Sequence, residues 1–126
     1  MTKLPAAAWW AGIAALSALG VPAAAHHSFA MFDQKKIVTL EGTVHQFQWT
    51  NPHAFIELDV STRGRTQRWS IELNSPNNLT RQGWRRTSLK TGDRVKIHVH
   101  PLRSGARGGA YSGIVFANGT KLGDTD

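Results

Sequence analysis

Apolar residues that recur at every second position are the feature that most constrains the fold of this chain. There are three such runs. In chain order they are Ala54, Ile56, Leu58 and Val60; Trp69, Ile71 and Leu73; and Val95, Ile97 and Val99. Because side chains two residues apart point to the same face of a strand, each run predicts a β-strand with one buried face.

A longer strand is predicted over residues 37–49, where the apolar residues change phase partway. They fall into two sets of opposite parity: Val38, Leu40 and Val44, then Phe47 and Trp49. A bend or bulge at Gly42 and residues 45–46 would let this one strand serve two sides of a curled sheet. A last strand is predicted over residues 111–117.

One short helix is predicted between the third and fourth strands. Ser75 is a good N-cap, Pro76 suits the first helical position, and Gly83 is a natural stop. Leu79 and Trp84 would anchor this helix to the core.

The predicted order is three strands, a short helix and two more strands. This order is typical of an all-β, five-stranded OB-fold barrel, in which closure removes the exposed edges of the sheet. A seven-stranded sandwich is the second architecture considered, but five strands are too few for it.

The first 25 residues have the order of a signal peptide. Lys3 is followed by an apolar run over residues 6–19 and by the small residues 23–25. A transmembrane anchor is the alternative, but the run is shorter than the ~20 residues that span a bilayer. We expect export to the periplasm, with cleavage leaving one domain over residues 26–126 that begins with an irregular arm over residues 26–35.

The composition of the chain limits its chemistry. It has no cysteine, so disulfides, thiolate metal sites and a cysteine nucleophile are excluded. Lys3 is the one counted charge in the signal peptide, so 14 of the 15 Lys and Arg remain against 8 Asp and Glu, a net +6. A basic exported domain is attracted to anionic polymers and lipid headgroups.

Several short motifs together resemble a known family of small exported bacterial proteins. They are His26-His27-Ser28, Trp49-Thr50-Asn51-Pro52-His53, Trp69 with Glu72, Ser75-Pro76 with Leu79 and Gly83-Trp84, and residues 89–93. Their order and spacing resemble the domain-of-unknown-function family 6152 over nearly the whole mature chain. The resemblance implies export and a small barrel, and it carries no activity or ligand.

The mature amino terminus is the first candidate site. Cleavage after Ala25 would expose His26 and His27, and a free amine with an adjacent imidazole chelates metal, Cu(II) most strongly. Cleavage after Ala23 would instead place His26 third from the amine, which also chelates Cu(II). His53, at the mouth of the first hairpin loop, would supply a third nitrogen. The alternatives are a solvated terminus and a histidine bonded to the turn backbone.

A second histidine cluster is expected on the outer face of the barrel. His98 and His100 alternate with inward residues of the fourth strand, and that strand pairs with the first in an OB barrel, which would bring His45 near them. The alternative is that they are ordinary surface residues.

Basic residues form three groups on separate loops: Arg63, Arg65 and Arg68; Arg81, Arg85, Arg86 and Lys90; and Arg103 and Arg107. They would bind anionic envelope polymers or a protein partner, unless they are simply a solvated surface. Nucleic acid is disfavoured, because Phe55 is the clearest outward aromatic available for base stacking.

An enzyme is not expected. Glu57, Asp59 and Glu72 are predicted to gather on one outer face, but acid–base catalysis needs a cleft and distinct environments, and the sequence carries no hydrolase, zincin or P-loop motif. The expected function is a non-enzymatic binding protein with copper as its ligand. The alternatives are an interaction module that uses the basic loops, a subunit assisting a redox or membrane enzyme, and a copper oxidase.

Overall fold

The computed structural model describes residues 2–3 and 29–126 of the chain. From residue 38 onward its elements are β1 (Val38–Gln48), β2 (Phe55–Thr62), β3 (Arg65–Glu72), α1 (Pro76–Arg81), β4 (Arg94–Pro101), β5 (Gly108–Val115) and β6 (Lys121–Gly123). None of the helices in the described residues is long and apolar enough to cross a bilayer.

The strands form one sheet that closes on itself. Their order is β3-β2-β1-β4-β5-β6, and a parallel pairing of β3 with β5 joins the two sides. This is the five-stranded OB-fold barrel with a short helix between strands 3 and 4 that the sequence predicts, extended by the short β6.

The long first strand serves both sides of the barrel, as expected. Residues from Val38 to Thr43 pair with β4, and residues from Thr43 to Gln48 pair with β2. The pairing with β2 slips between Val44 and Gln46, so His45 is the extra residue of a β-bulge.

The core fills the barrel with the alternating residues of the predicted runs. Ile56, Leu58, Ile71, Ile97 and Ile114 are completely buried. Trp69 is only half-buried, although it packs against this core.

An aromatic cluster closes one end of the barrel. The ring of Trp84 lies 5.7 Å from that of Phe47, 5.4 Å from that of Tyr111 and 5.7 Å from that of Phe116. Trp84 itself is buried, so it is the centre of the cluster.

The helix has the expected boundaries. The Ser75 side chain accepts a hydrogen bond from the Asn78 backbone N–H, and Pro76 follows the cap. Gly83 ends the helix with φ 96°, a left-handed conformation that glycine adopts without strain. Leu79 is buried beneath it, which confirms the predicted anchor.

The β2–β3 connection is a tight turn, and the last long strand begins earlier than predicted. Arg63 and Gly64, with φ values of 52° and 75°, form a two-residue turn that directly joins β2 to β3. The strand predicted to start at residue 111 starts at Gly108, because residues 108–110 pair with β3 to close the barrel.

The N-terminal arm packs only in part. Phe32 is buried and bridges to Leu102. Phe29 and Met31 are largely exposed, with exposed fractions of 72% and 49%. The single bridge ties the arm at Phe32, and the side chains on either side of it face outward.

Candidate functional site

His53 and Glu72 form a pair at the edge of the barrel. His53 lies two residues before Phe55, the first residue of β2, and Phe55 pairs with Glu72, the last residue of β3. His53 and Glu72 are therefore diagonal neighbours on two adjacent strands. Nδ1 of His53 contacts Oε1 of Glu72, and the two side chains are 34% and 19% exposed. Within the described part of the chain, Nδ1 is a buried nitrogen that makes no hydrogen bond, and the carboxylate of Glu72 is the acceptor beside it. When neutral His53 carries its proton on Nδ1, the lone pair is on Nε2.

The backbone around His53 is held on both sides. Thr50 Oγ1 donates a hydrogen bond of 2.8 Å to the carbonyl oxygen of His53. The next residue, Ala54, exchanges backbone hydrogen bonds of 3.1 and 2.8 Å with Asn74 and Leu73. The turn backbone is thus bonded by Thr50, and the imidazole is free to pair with Glu72.

The pair lines a cleft of about 500 Å³. The other lining residues come from the N-terminal arm, the end of β3, the helix end, β5 and β6: Phe29, Phe32, Leu73, Asn74, Gln82, Ala110, Tyr111, Ser112 and Gly123. The cleft is therefore lined both by the N-terminal arm and by the His53–Glu72 pair.

The two N-terminal candidate ligands, His26 and His27, lie outside the described residues. Phe29, which lines the cleft, is three positions after His26. Three residues of extended chain span up to about 10 Å, so His26 lies within about that distance of Phe29.

The second histidine cluster does not assemble as expected. His98 pairs with Thr39 of β1, whereas His45 is six positions further along the same strand. At about 3.3 Å per residue this is roughly 20 Å. His45 instead lies 3.7 Å from Asp59, so the structure brings only His98 and His100 together.

Within residues 29–126, no three His, Asp or Glu side chains are grouped so that they could hold a metal ion. His53 would thus need partners from outside this part of the chain to complete a metal site.

Three carboxylates occupy the outer face of β2 and β3, as the alternation predicts. Glu57 accepts a hydrogen bond of 2.7 Å from Ser70, and Asp59 accepts one of 2.9 Å from Arg68. The hydrogen bond from Arg68 lowers the pKa of Asp59 below its usual value, and the same bond raises the pKa of Arg68. With Glu72 at its end, the face that OB-folds commonly use for oligonucleotides is acidic here.

The candidate anion-binding arginines are exposed but do not form one patch. Arg63 and Arg65 flank the β2–β3 turn, Arg85 and Arg86 follow the helix, and Arg103 and Arg107 belong to the β4–β5 connection. Among residues 29–126 these six have no carboxylate partner, whereas Arg68 is paired with Asp59.

One functional pairing was missed by reasoning from the sequence. His53 and Glu72 were both identified, but as a copper ligand and as a member of a carboxylate group, not as partners. The tight turn at Arg63 and Gly64 is the signal that could have found the pair, because it fixes which residues of β2 and β3 are neighbours.

Comparison with known proteins gives a family and a distant structural likeness. A family model described as a family of unknown function, DUF6152, matches residues 14–112. The mitochondrial single-stranded DNA-binding protein Rim1 of S. cerevisiae has 11% identity and a TM-score of 0.48, over 65% of this chain and 94% of that one. No curated protein matches the sequence.

Proposed function

The chain belongs to DUF6152, a family of unknown function, and from this premise we propose that it is an exported, non-enzymatic binding protein for Cu(II). The proposed ligands are the free amine and imidazole of His26 and Nε2 of His53, with His27 adjacent. The observation that carries the proposal is the His53–Glu72 pair in a cleft that Phe29 also lines.

The state of His53 suits a metal ligand. Histidines that bind metals usually donate their other ring N–H to a carboxylate or carbonyl, which fixes the tautomer and the direction of the ring. The contact with Glu72 gives Nδ1 such a carboxylate, and the proposed ligand nitrogen is therefore Nε2. The half-exposed imidazole also allows a ligand to approach from the cleft.

The choice of metal follows from the donor atoms. An amine and two imidazoles are nitrogen donors, and the affinity of such sites for divalent first-row metals is greatest for Cu(II). The chain has no cysteine that would favour Cu(I) or zinc–thiolate chemistry.

Export supplies the free amine that the site needs. The proposal places the protein in the periplasm, with cleavage after Ala25 in the small residues 23–25. The amine of His26 then chelates together with its own Nδ1, an arrangement that needs no folded partner, and His53 adds the ligand that the fold provides.

Titration of the mature protein with Cu(II) tests the proposal. The protein is exported with its own signal peptide, purified without an N-terminal tag and checked by intact mass for a start at His26. We expect one tight equivalent of Cu(II), with a loss of affinity when Met-Ser-Gly precedes His26 and a smaller loss in His53→Ala. The three added residues place both His26 and His27 beyond the third position from the amine. His45→Ala is the matched control, because His45 is an exposed histidine beside a carboxylate, away from the cleft. Unchanged affinity in the Met-Ser-Gly-extended protein would refute the amino-terminal site.

A second candidate function is binding of anionic envelope polymers through the basic loops. It is favoured by Arg85 and Arg86, which are exposed and have no carboxylate partner within residues 29–126. Retention on a sulfated polysaccharide at low salt, reduced in a double Arg85→Gln, Arg86→Gln variant, would support it. The carboxylates on the β2–β3 face favour neither this polymer nor nucleic acid at that surface.

A further inference from the structure

His98 and His100 project from the same outer face of β4. The residues between and beside them, Val95, Ile97 and Val99, point into the core. Two positions along a strand separate their Cα atoms by about 7 Å. Two imidazoles at this spacing can converge on one metal ion, each binding at about 2.0–2.1 Å.

The ring of His100 is held in one orientation by the backbone. Its Nδ1 lies 2.9 Å from the carbonyl oxygen of Lys36. Because a carbonyl only accepts, Nδ1 carries the proton and Nε2 keeps its lone pair. A backbone carbonyl is one of the partners that usually fix a metal-binding histidine in this way.

Both histidines are partly exposed. In β5, His98 faces Gly113 and His100 faces Ala110. The backbone of Asp124 covers Gly113, so the side of His98 toward β5 is flanked by main chain, and the neighbour of His100 contributes only a methyl group. On the other side His98 faces Thr39. Within residues 29–126, His98 makes no side-chain hydrogen bond or ion pair, so its nitrogens are available to a ligand.

This pair is distinct from the His53–Glu72 pair. Ala110 of β5 pairs with His100 on one side and with Glu72 on the other. The two pairs are therefore two strand spacings apart across the outer surface, roughly 10 Å between backbones.

We propose that His98 and His100 form a second metal site, which binds one imidazole-preferring divalent cation, Zn(II) or Cu(II), with water completing the coordination. Nε2 of His100 is one ligand and an imidazole nitrogen of His98 is the other. The site depends on neither the amino terminus nor His53.

Zn(II) titration of a mature protein whose first site is removed tests this inference. The background is the Met-Ser-Gly-extended chain carrying His53→Ala, so failure of the copper proposal does not affect the outcome. We expect one equivalent of Zn(II) to bind, and affinity to fall at least about tenfold, roughly 1.4 kcal/mol, in His98→Ala and in His100→Ala. His45→Ala should leave it unchanged.

Imidazole nitrogen NMR of the same background protein gives a second readout that a folding defect would not imitate. On addition of Zn(II), the Nε2 resonance of His100 should move as a metal-bound nitrogen, while Nδ1 stays protonated. Equal Zn(II) affinity in all three histidine variants, or a His100 spectrum that does not respond to Zn(II), would overturn the inference.

Discussion

Glu72 is the carboxylate that contacts Nδ1 of His53. In the proposed copper site it directs Nε2 toward the metal, so removing it would leave the imidazole free to rotate and to exchange tautomers. Both residues are recognisable in the sequence as candidates, but their contact is not, because it joins two strands diagonally rather than two neighbours in the chain.

Replacing Glu72 by Ala should weaken Cu(II) binding about 10- to 100-fold, the usual cost of losing a carboxylate behind a metal-binding histidine. Cu(II) titration of the mature protein measures the change. Glu57→Ala is the matched control, since Glu57 is on the same face but bonds Ser70. Glu72→Gln should restore part of the affinity, because its amide oxygen can still accept from Nδ1. Equal losses in Glu57→Ala and Glu72→Ala would point to a general effect of surface charge instead.

Tyr111 should ionise well above the usual range for tyrosine. Burial raises its pKa to about 12, and its hydroxyl donates a hydrogen bond of 3.0 Å to the carbonyl oxygen of Leu122. The folded state then holds the proton more tightly than the unfolded chain, whose pKa is about 10. This contribution to stability is complete below pH 10 and is lost as the pH rises through about 12.

Tyr111 is the only tyrosine of the chain, so its titration is directly visible in the ultraviolet absorbance of tyrosinate. A midpoint near 12 in the folded protein and near 10 in urea is the expected result. A folded-state midpoint near 10 would mean that the phenol is in contact with water.

At the scale of single elements, the apolar pattern of β1 predicts its bend but not its register with β4. The change of phase in its apolar residues predicts a bend near residues 42–46, and the bulge at His45 confirms it. The register with β4 was not predictable in the same way, because it depends on where β4 starts. Since Arg94 pairs with Thr43, His45 lies beyond the reach of β4.

Gly42 is required by the close approach of β1 to β2. A Cβ at this position would collide with the backbone carbonyl of Asp59 and lie 3.0 Å from the side chain of Leu58. Gly42→Ala should therefore lower the free energy of unfolding by about 1–3 kcal/mol, the usual cost of overpacking.

Urea denaturation followed by tryptophan fluorescence measures this loss. Thr39→Ala, an exposed change in the same strand, should have a much smaller effect. If both variants were equally stable, the two strands would have room to separate at Gly42 without loss of stability.

At the scale of the whole molecule, the barrel was predictable because its core strands alternate cleanly. The closure of the barrel was less predictable from the sequence. The pairing of residues 108–110 with β3 joins residues far apart in sequence, and Gly108 and Gly109 have weak strand propensity. The short β6 carries too few apolar residues to be recognised as a strand.

The candidate site depends on the same long-range geometry. The two-residue turn at Arg63 and Gly64 makes Thr62 the partner of Arg65 and, counting outward, Phe55 the partner of Glu72. The packing of the arm at Phe32 then leaves Phe29 at the cleft of His53. The residue types proposed as ligands were thus recognisable in the sequence, whereas the contact of His53 with Glu72 and the position of Phe29 at the same cleft follow from the register and from the arm.

The most direct measurement is pulsed EPR of the mature protein loaded with one equivalent of Cu(II). The spectrum counts the imidazoles on the metal, because combination lines of the remote ring nitrogens arise only when at least two imidazoles share one Cu(II). We expect two imidazoles in the natural protein, from His26 and His53, and one in His53→Ala. Identical spectra for the two proteins would contradict it, since His53 would then not be a ligand.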